Sequence, residues 1–335
     1  MSPALLVVPQ PRKPGIRAQP ISTTGQTPPR TLFTTTNWIG GIDIGPDGGV
    51  FADQVDRPTA VVRFAASGGP VQKLGGFIMQ SEDYAGSGAL LPDGRLLLAG
   101  SRQGHVCLMI FEAGKQPVPL VNTPDETAPP AAALGPEEVA FMIGKPAHEE
   151  LAVANISTGT ILRRIKINKT FIISALAATP DGKTLFLGAE GSIWSVPSTG
   201  GELRRIRQGY AVGVDPTGAY LLVQFADNTK IRLVRVPLEG GPEQEIPLSG
   251  PYRLTNVPIG SGMISKDARL FVPLASPESF FTSPGIVDLV TGRMMRIPVE
   301  PYSDYGFMAQ SHGGTVTAIA MGLKSTLWRF QREGR

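Results

Sequence analysis

Short apolar segments alternate with turn-forming residues along most of the chain. The clearest example has four such segments, at 171–179, 183–188, 192–197 and 202–207, with the turn Pro180-Asp181-Gly182 after the first. Gly and Pro supply the backbone angles that tight hairpin turns need. No stretch keeps the 3.6-residue period of an amphipathic helix. The pattern therefore predicts units of four consecutive antiparallel strands and almost no helix.

The four-strand unit recurs at a regular interval. A turn of the Pro-Asp-Gly type, or a weaker equivalent of it, marks the unit near positions 46, 92, 136, 180, 216, 266 and 312. The mean spacing of about 44 residues matches the length of a four-stranded propeller blade. The predicted fold class is therefore all-β, as a single β-propeller of four-stranded blades, and the seven marks predict seven blades.

The polarity of the segments agrees with this architecture. The second segments are almost wholly apolar, as at 96–99 and 221–223, whereas the last segments turn polar, as at 203–207. A middle blade strand is covered on both faces, while an outermost strand has one face in water. The last unit ends after its third segment, 325–330. We predict that the β-rich stretch 31–36 pairs with 325–330 and closes the ring as an N-terminal strand.

Proline separates the start of the chain from the rest. Seven of the 31 prolines lie within the first 29 residues, with Ser, Thr and Gln between them. This composition disfavours both helix and sheet. We therefore predict a Pro-rich tail or linker at 1–29 and a propeller at 30–335.

Charge and cysteine content exclude several classes of protein. The 31 basic and 28 acidic residues give a net charge of +3 without a basic cluster, which argues against a nucleic-acid partner. The single cysteine, Cys107, excludes an intrachain disulfide, and its apolar surroundings predict a buried, inert thiol. No apolar run approaches the roughly 18 residues of a membrane-spanning helix. We expect a monomer.

The N-terminal sequence bears on localisation. The apolar stretch 4–8 has no basic region before it, so it is not a signal peptide as written. We expect a cytoplasmic protein if Met1 is the true start. A periplasmic or secreted protein is the alternative if the chain is truncated.

One unit resembles a known family. Residues 179–183 and 193–206, with Ser198-Thr199-Gly200-Gly201 between the last two strands, closely resemble the blade consensus of TolB-like, WD40-like bacterial β-propellers. The WD40 signature itself is missing: Trp-Asp does not occur, and Gly104-His105 opens a third strand. The resemblance implies a fold and names no partner. TolB-like propellers commonly have six blades, so six is the alternative to seven.

A second resemblance concerns the first unit. Residues 41–64 are similar to NHL and gluconolactonase-type propellers, and the latter hold a divalent metal in the channel through Glu, Asn and Asp. An equivalent Glu and the paired Asn residues are missing here. The resemblance implies a metal-dependent lactonase as an alternative function, with Asp43, Asp83, Asp215 and Asp304 as its only candidate channel carboxylates. We predict no cofactor, and a channel divalent cation stays the alternative.

Recognisable catalytic motifs are absent. The histidines His105, His148 and His312 fall in different units without metal-ligand spacing. The chain has neither a Gly-x-Ser-x-Gly elbow nor a phosphate-binding loop. The sequence therefore favours a non-enzymatic protein.

Candidate binding residues lie on predicted loops of one propeller edge, which we call the loop rim. It comprises the loops between consecutive blades and those between the second and third strands of each blade. Acidic and aromatic residues accumulate there, a composition typical of protein-contact surfaces. The predicted loops are 52–57, 82–84, 276–283 and 302–305, and the candidate residues are Asp53, Arg57, Glu82, Asp83, Tyr84, Phe280, Phe281, Tyr302, Asp304 and Tyr305.

Three functions follow from these observations. The first is a non-enzymatic module that binds a protein or peptide on the loop rim, argued mainly from the fold. The second is the channel lactonase. The third is the sensor domain of a larger receptor or regulator, with the Pro-rich start as its linker.

Overall fold

The structure is a computed structural model that divides into two compact units, 1–58 with 322–335 and 59–321. It describes residues 4–9, 16–21, 33–35, 38–47, 49–77, 87–102, 105–144, 150–167, 172–226, 230–299 and 304–330.

Unit 59–321 is the propeller. Its described residues form six four-stranded antiparallel sheets, which we number as blades 1 to 6. Blade 1 holds β8 (Gly88–Leu90), β9 (Leu96–Arg102), β10 (His105–Phe111) and β11 (Val118–Pro119); blade 2 holds β12 (Thr127–Ala133), β13 (Glu138–Ile143), β14 (Glu150–Asn155) and β15 (Ile161–Ile165); and blade 3 holds β16 (Ile173–Ala178), β17 (Thr184–Ala189), β18 (Ser192–Pro197) and β19 (Arg204–Gln208).

The remaining blades complete this unit. Blade 4 holds β20 (Ala211–Val214), β21 (Tyr220–Ala226), β22 (Ile231–Pro237) and β23 (Gln244–Glu245); blade 5 holds β24 (Arg253–Leu254), β25 (Arg269–Ser276), β26 (Ser279–Asp288) and β27 (Met294–Arg296); and blade 6 holds β28 (Asp304–Gln310), β29 (Thr315–Met321), β6 (Thr59–Ala65) and β7 (Gln72–Phe77). Among the described residues the one helical element is a 3-10 turn at His312–Gly314.

Blade 6 combines both ends of the propeller. Strand β29 pairs antiparallel with β6 along its full length, with Ile319 opposite Val61 and Ala318 opposite Val62. The inner strand β28 then contacts β8 of blade 1. The all-β propeller is thus confirmed. The predicted count of seven blades is not confirmed: the described residues of this unit form six four-stranded sheets, the number given as the alternative. The first predicted unit divides: its second half belongs to blade 6.

An earlier strand of the chain does close the ring, but it is β6 rather than the predicted 31–36, whose described part does not pair with 325–330. In the other unit, β30 (Lys324–Phe330) pairs with β5 (Val50–Asp56), which pairs with β4 (Trp38–Ile44). Strand β3 (Phe33–Thr35), the described part of 31–36, pairs instead with β2 (Ile16–Ile21), and β2 pairs with β1 (Ala4–Pro9). Two strands, β1 and β2, therefore lie within the segment 1–29 that the proline content predicts as a tail or linker, and the compact units are bounded at 58 and 321.

Burial explains the segment polarity within each blade. In blade 3, the second strand β17 is buried over five of its six positions, whereas the outer strand β19 is almost wholly exposed. Buried side chains of adjacent blades pack face to face, as where Phe141 and Val139 of blade 2 meet Leu97 and Leu108 of blade 1. Each blade thus covers its neighbour, which removes apolar area from water on both faces of the middle strands.

The Pro-Asp-Gly turns contact the neighbouring blade. Gly182 has φ of 68°, in the left-handed region that glycine tolerates best, and a Cβ there would lie 2.3 Å from the carbonyl oxygen of Leu134 in the preceding blade. In the same turn, Asp181 accepts hydrogen bonds from the hydroxyl of Thr179 at 2.6 Å and from the backbone N–H of Lys183 at 3.1 Å. The motif therefore closes a hairpin and lets two blades approach.

Candidate functional site

The hairpin of β25 and β26 forms the part of the loop rim that blade 5 contributes. Ser276 pairs with Ser279, so only residues 277 and 278 lie between the strands. The Ser276 hydroxyl oxygen accepts a hydrogen bond from the N–H of Glu278 at 3.2 Å, and that of Ser279 accepts one from the N–H of Phe281 at 3.0 Å. The long loop predicted at 276–283 is thus a tight turn followed by a strand.

Two aromatic side chains stand at this turn, and we call Phe280 and Phe281 the aromatic tip. Phe280 is 94% exposed, while Phe281 is partly buried. The rings meet edge to face, with centroids 5.7 Å apart and planes at 83°. This arrangement is the preferred one for a phenylalanine pair. The tip therefore presents one ring to solvent and supports it with the other.

Hydrogen bonds across a blade boundary hold the base of the tip. Thr282 of blade 5 donates to one carboxylate oxygen of Asp304 in blade 6, through its N–H at 2.8 Å and its hydroxyl at 2.7 Å. The Thr282 hydroxyl oxygen in turn accepts the N–H of Tyr305 at 3.1 Å. Sequence reasoning selected Asp304 and missed Thr282, because 22 positions separate them and no local pattern links them.

Tyr305 does not lie on the rim as predicted. Its side chain is 3% exposed and meets Phe64 edge to face at 6.1 Å, within the apolar cluster between blades 5 and 6. Asp304 begins β28, and Tyr305 follows on the opposite face of the strand. Of these two adjacent residues, Asp304 therefore lies at the rim and Tyr305 lies in the core.

Asp53 and Arg57 belong to the other unit. The predicted loop 52–57 is mostly strand β5, and Asp53 accepts a hydrogen bond from Ser325 of the paired strand β30. Arg57 is exposed just after that strand. Neither residue is part of the blade strands that carry the aromatic tip. Glu82, Asp83, Tyr84 and Tyr302 lie outside the described residues.

Two of the candidate channel carboxylates, Asp215 and Asp43, accept hydrogen bonds from the backbone of their own segments. Asp215 lies in the turn between β20 and β21, where it accepts the N–H groups of Thr217 at 3.1 Å and Ala219 at 3.3 Å. Asp43 belongs to β4 in the other unit and accepts the N–H of Ile44 at 2.8 Å. Among residues that the structure describes, no three His, Cys, Asp or Glu side chains are grouped to hold a metal.

Cys107 and His105 line a pocket of about 280 Å³ in blade 1, together with Arg102 and Asp125. Burial raises the pKa of the Cys107 thiol, and the nearby charge of Arg102 opposes that shift. The His105 ring nitrogen Nδ1 is 3.8 Å from a carboxylate oxygen of Glu126. Cys107 is only partly buried, so the buried thiol that the sequence predicts is not found.

A wider groove of about 690 Å³ lies beside blades 5 and 6, lined by Gly69, Pro70, Tyr252, Arg296, Pro298 and Val299. None of these residues belongs to the predicted rim set. In the part of the chain that the structure describes, no helix has the length and apolar character needed to span a membrane.

Comparisons with known proteins bear on the fold alone. No protein-family model and no curated protein sequence matches the chain. A protein assigned as TolB in Agrobacterium tumefaciens superposes with a TM-score of 0.56 at 12% identity, over 79% of this chain and 99% of that chain. Two other structures superpose less well. TolB from Acinetobacter baumannii has a TM-score of 0.43 at 15% identity, over 70% of this chain and 60% of that chain. A nidogen–laminin complex has a TM-score of 0.47 at 10% identity, over 76% of this chain and 82% of that chain. The chain thus contains a β-propeller similar in fold to TolB.

Proposed function

We propose that this propeller is a non-enzymatic binding module whose partner is a protein or peptide that docks on the aromatic tip. The observation that carries the proposal is the 94% exposure of Phe280 on a hairpin that is itself well ordered by hydrogen bonds. A fully exposed phenylalanine leaves apolar area in water, where a partner surface would bury it favourably. Aromatic residues, including phenylalanine, are also enriched in the cores of protein interfaces.

The rigidity of the tip supports this proposal. Thr282, the residue after Phe281, donates a hydrogen bond to Asp304. The hydroxyl oxygens of Ser276 and Ser279 accept hydrogen bonds from backbone N–H groups within the turn. A pre-organised aromatic anchor loses less conformational entropy on binding than a mobile one. The proposed contact surface is therefore Phe280 and Phe281, with Asp304 as the residue that positions them.

A capture experiment tests the proposal. Immobilised wild-type chain retains a protein from a lysate of the source cells, and the retained protein is identified, purified and titrated against variants. Phe280→Ala and the double change to Phe280→Ala/Phe281→Ala are expected to weaken binding by at least tenfold, since about 1.4 kcal/mol lost from one anchor gives that factor.

Two control variants are available. Ile172→Ala removes another exposed apolar side chain, 76% exposed and just before β16, on the same rim but in blade 3. Val290→Ala removes one that is 72% exposed at the far end of β26, on the opposite edge of blade 5. Both are expected to bind as the wild type does. Equal affinity of Phe280→Ala and wild type for every captured protein would contradict the proposal.

A further inference from the structure

Strand β10 places three metal-binding side chains at alternate positions. His105, Cys107 and Met109 occupy positions i, i+2 and i+4, and successive side chains of a strand point to opposite faces. The intervening Leu108 is fully buried against blade 2, whereas the three alternate residues keep solvent access. Imidazole, thiolate and thioether are the donors that soft, monovalent copper prefers.

The two sulfur atoms are already together. Cys107 Sγ lies 3.3 Å from Met109 Sδ, with the thiol as donor. The cause is the glycine opposite Cys107 in the neighbouring strand: Gly100 pairs with Cys107, and a Cβ on Gly100 would be 2.5 Å from Cγ of Met109. Met109 therefore lies across the space that a side chain at position 100 would fill, which brings its sulfur beside that of Cys107.

The third donor shares a pocket with the thiol. His105 and Cys107 both line the 280 Å³ pocket, and the His105 side chain is largely exposed. Its 3.8 Å separation from Glu126 is longer than a hydrogen bond, so the ring is not fixed there. We propose that His105, Cys107 and Met109 form a binding site for one Cu(I) ion on blade 1.

The binding step involves no change of oxidation state. Cu(I) replaces the thiol proton, so a sulfur–copper bond forms, the S–H bond breaks, and one proton leaves to solvent. The thioether and the imidazole donate lone pairs without losing a proton. The flexible Met109 side chain allows the two sulfurs to separate slightly around the ion.

Anaerobic titration of the full chain with Cu(I), held by a competing chromogenic chelator, tests the site. The expected result is one Cu(I) per chain, with protection of the single cysteine from alkylation by iodoacetamide. Cys107→Ser is expected to lose this binding. Met109→Leu and His105→Gln are each expected to weaken it by at least tenfold, and Gly100→Ala is expected to weaken it by displacing Met109.

Met295→Leu is the matched control, because Met295 is a partly buried methionine of β27 in blade 5. It is expected to bind Cu(I) as the wild type does. Thermal melts of all variants show whether they are folded, and the Met-to-Leu changes conserve volume. Wild-type affinity no greater than that of Cys107→Ser, or unchanged affinity in either Met109→Leu or His105→Gln, would overturn the proposed site.

Discussion

Thr282 and Asp304 join blades 5 and 6: the Thr282 hydroxyl and N–H both donate to one carboxylate oxygen of Asp304, at 2.7 and 2.8 Å. Asp304→Ala is expected to lower the free energy of unfolding by about 1–3 kcal/mol, because it leaves two partly buried donors without their acceptor. Urea denaturation measures the change. Glu202→Ala, which removes an exposed ion pair with Arg204, serves as control and is expected to change it by less than about 1 kcal/mol. Equal midpoints for Asp304→Ala and this control would contradict the account.

The seam between β29 and β6 predicts a larger effect. Ile319 is buried opposite Val61, where the C-terminal and N-terminal strands of the propeller meet. Ile319→Ala is expected to lower the free energy of unfolding by about 2–5 kcal/mol, the usual range for a truncation that leaves a cavity in a core. The control Ile172→Ala truncates an exposed side chain, and it is expected to change the free energy of unfolding by no more than about 0.5 kcal/mol in the same urea experiment. A small effect at Ile319 would mean that this strand is not part of the core.

Two glycines with the same backbone angle separate strain from contact. Gly182 and Gly191 have φ of 68° and 67°, but a Cβ would meet the Leu134 carbonyl oxygen only at Gly182, with open space at Gly191. Gly191→Ala is expected to lower the free energy of unfolding by about 1–2 kcal/mol, because alanine is disfavoured in the left-handed conformation. Gly182→Ala carries the additional cost of a contact with backbone in the next blade, so its Tm is expected to be clearly lower. Matching Tm values for the two variants would show that the blade contact is absent.

Asp288 gives a prediction for acid conditions. Hydrogen bonds from the N–H groups of Thr291 and Val290, both at 2.9 Å, hold the pKa of this carboxyl below its ordinary value of 3.8. A depressed folded-state pKa stabilises the protein above the unfolded-state pKa, and that stabilisation is lost as the pH falls through the folded-state value.

Comparison with Asp288→Asn isolates this group, since the other carboxyls titrate in both proteins. The wild type is expected to have the higher Tm by a constant margin above about pH 5, and this margin is expected to shrink below about pH 4. A Tm difference that stays constant or grows down to about pH 3 would contradict the assigned hydrogen bonds.

The local pattern is sufficient to predict strands within a blade. The segments at 183–188 and 192–197 correspond to β17 and β18 because alternation and turn residues are local properties. Ring closure could not be predicted in this way, because β6 and β29 are about 250 residues apart and several β-rich segments could pair with either. The turn predicted near position 46 lies between β4 and β5, where the N–H of Gly45 donates to the carbonyl oxygen of Gly49. This hairpin belongs to the other unit and not to a blade.

In the candidate site, too, the sequence predicts local features and not the pairing of strands. Residue type alone indicates the aromatic tip, because two adjacent Phe residues stand in an otherwise polar stretch. The sequence predicts a loop where the strand that carries them lies, because Ser, Pro and Glu are common in loops and composition does not show that Ser276 pairs with Ser279. The acidic and aromatic composition of 302–305 predicts a rim loop that includes Tyr305, but β28 begins at Asp304 and adjacent strand positions face opposite ways, so Tyr305 is buried.

Hydrogen–deuterium exchange of the intact chain, followed by mass spectrometry of peptides, tests the six-blade ring most directly. The pairing of β29 with β6 predicts that amides in 59–65 and in 315–321 exchange slowly and lose protection together as urea is raised. Removal of protection at 324–330 by mild denaturant is expected to leave 59–65 protected, because those strands belong to different units. Rapid exchange throughout 59–65 in the folded protein, while 315–321 stays protected, would contradict the closure of the propeller by these two strands.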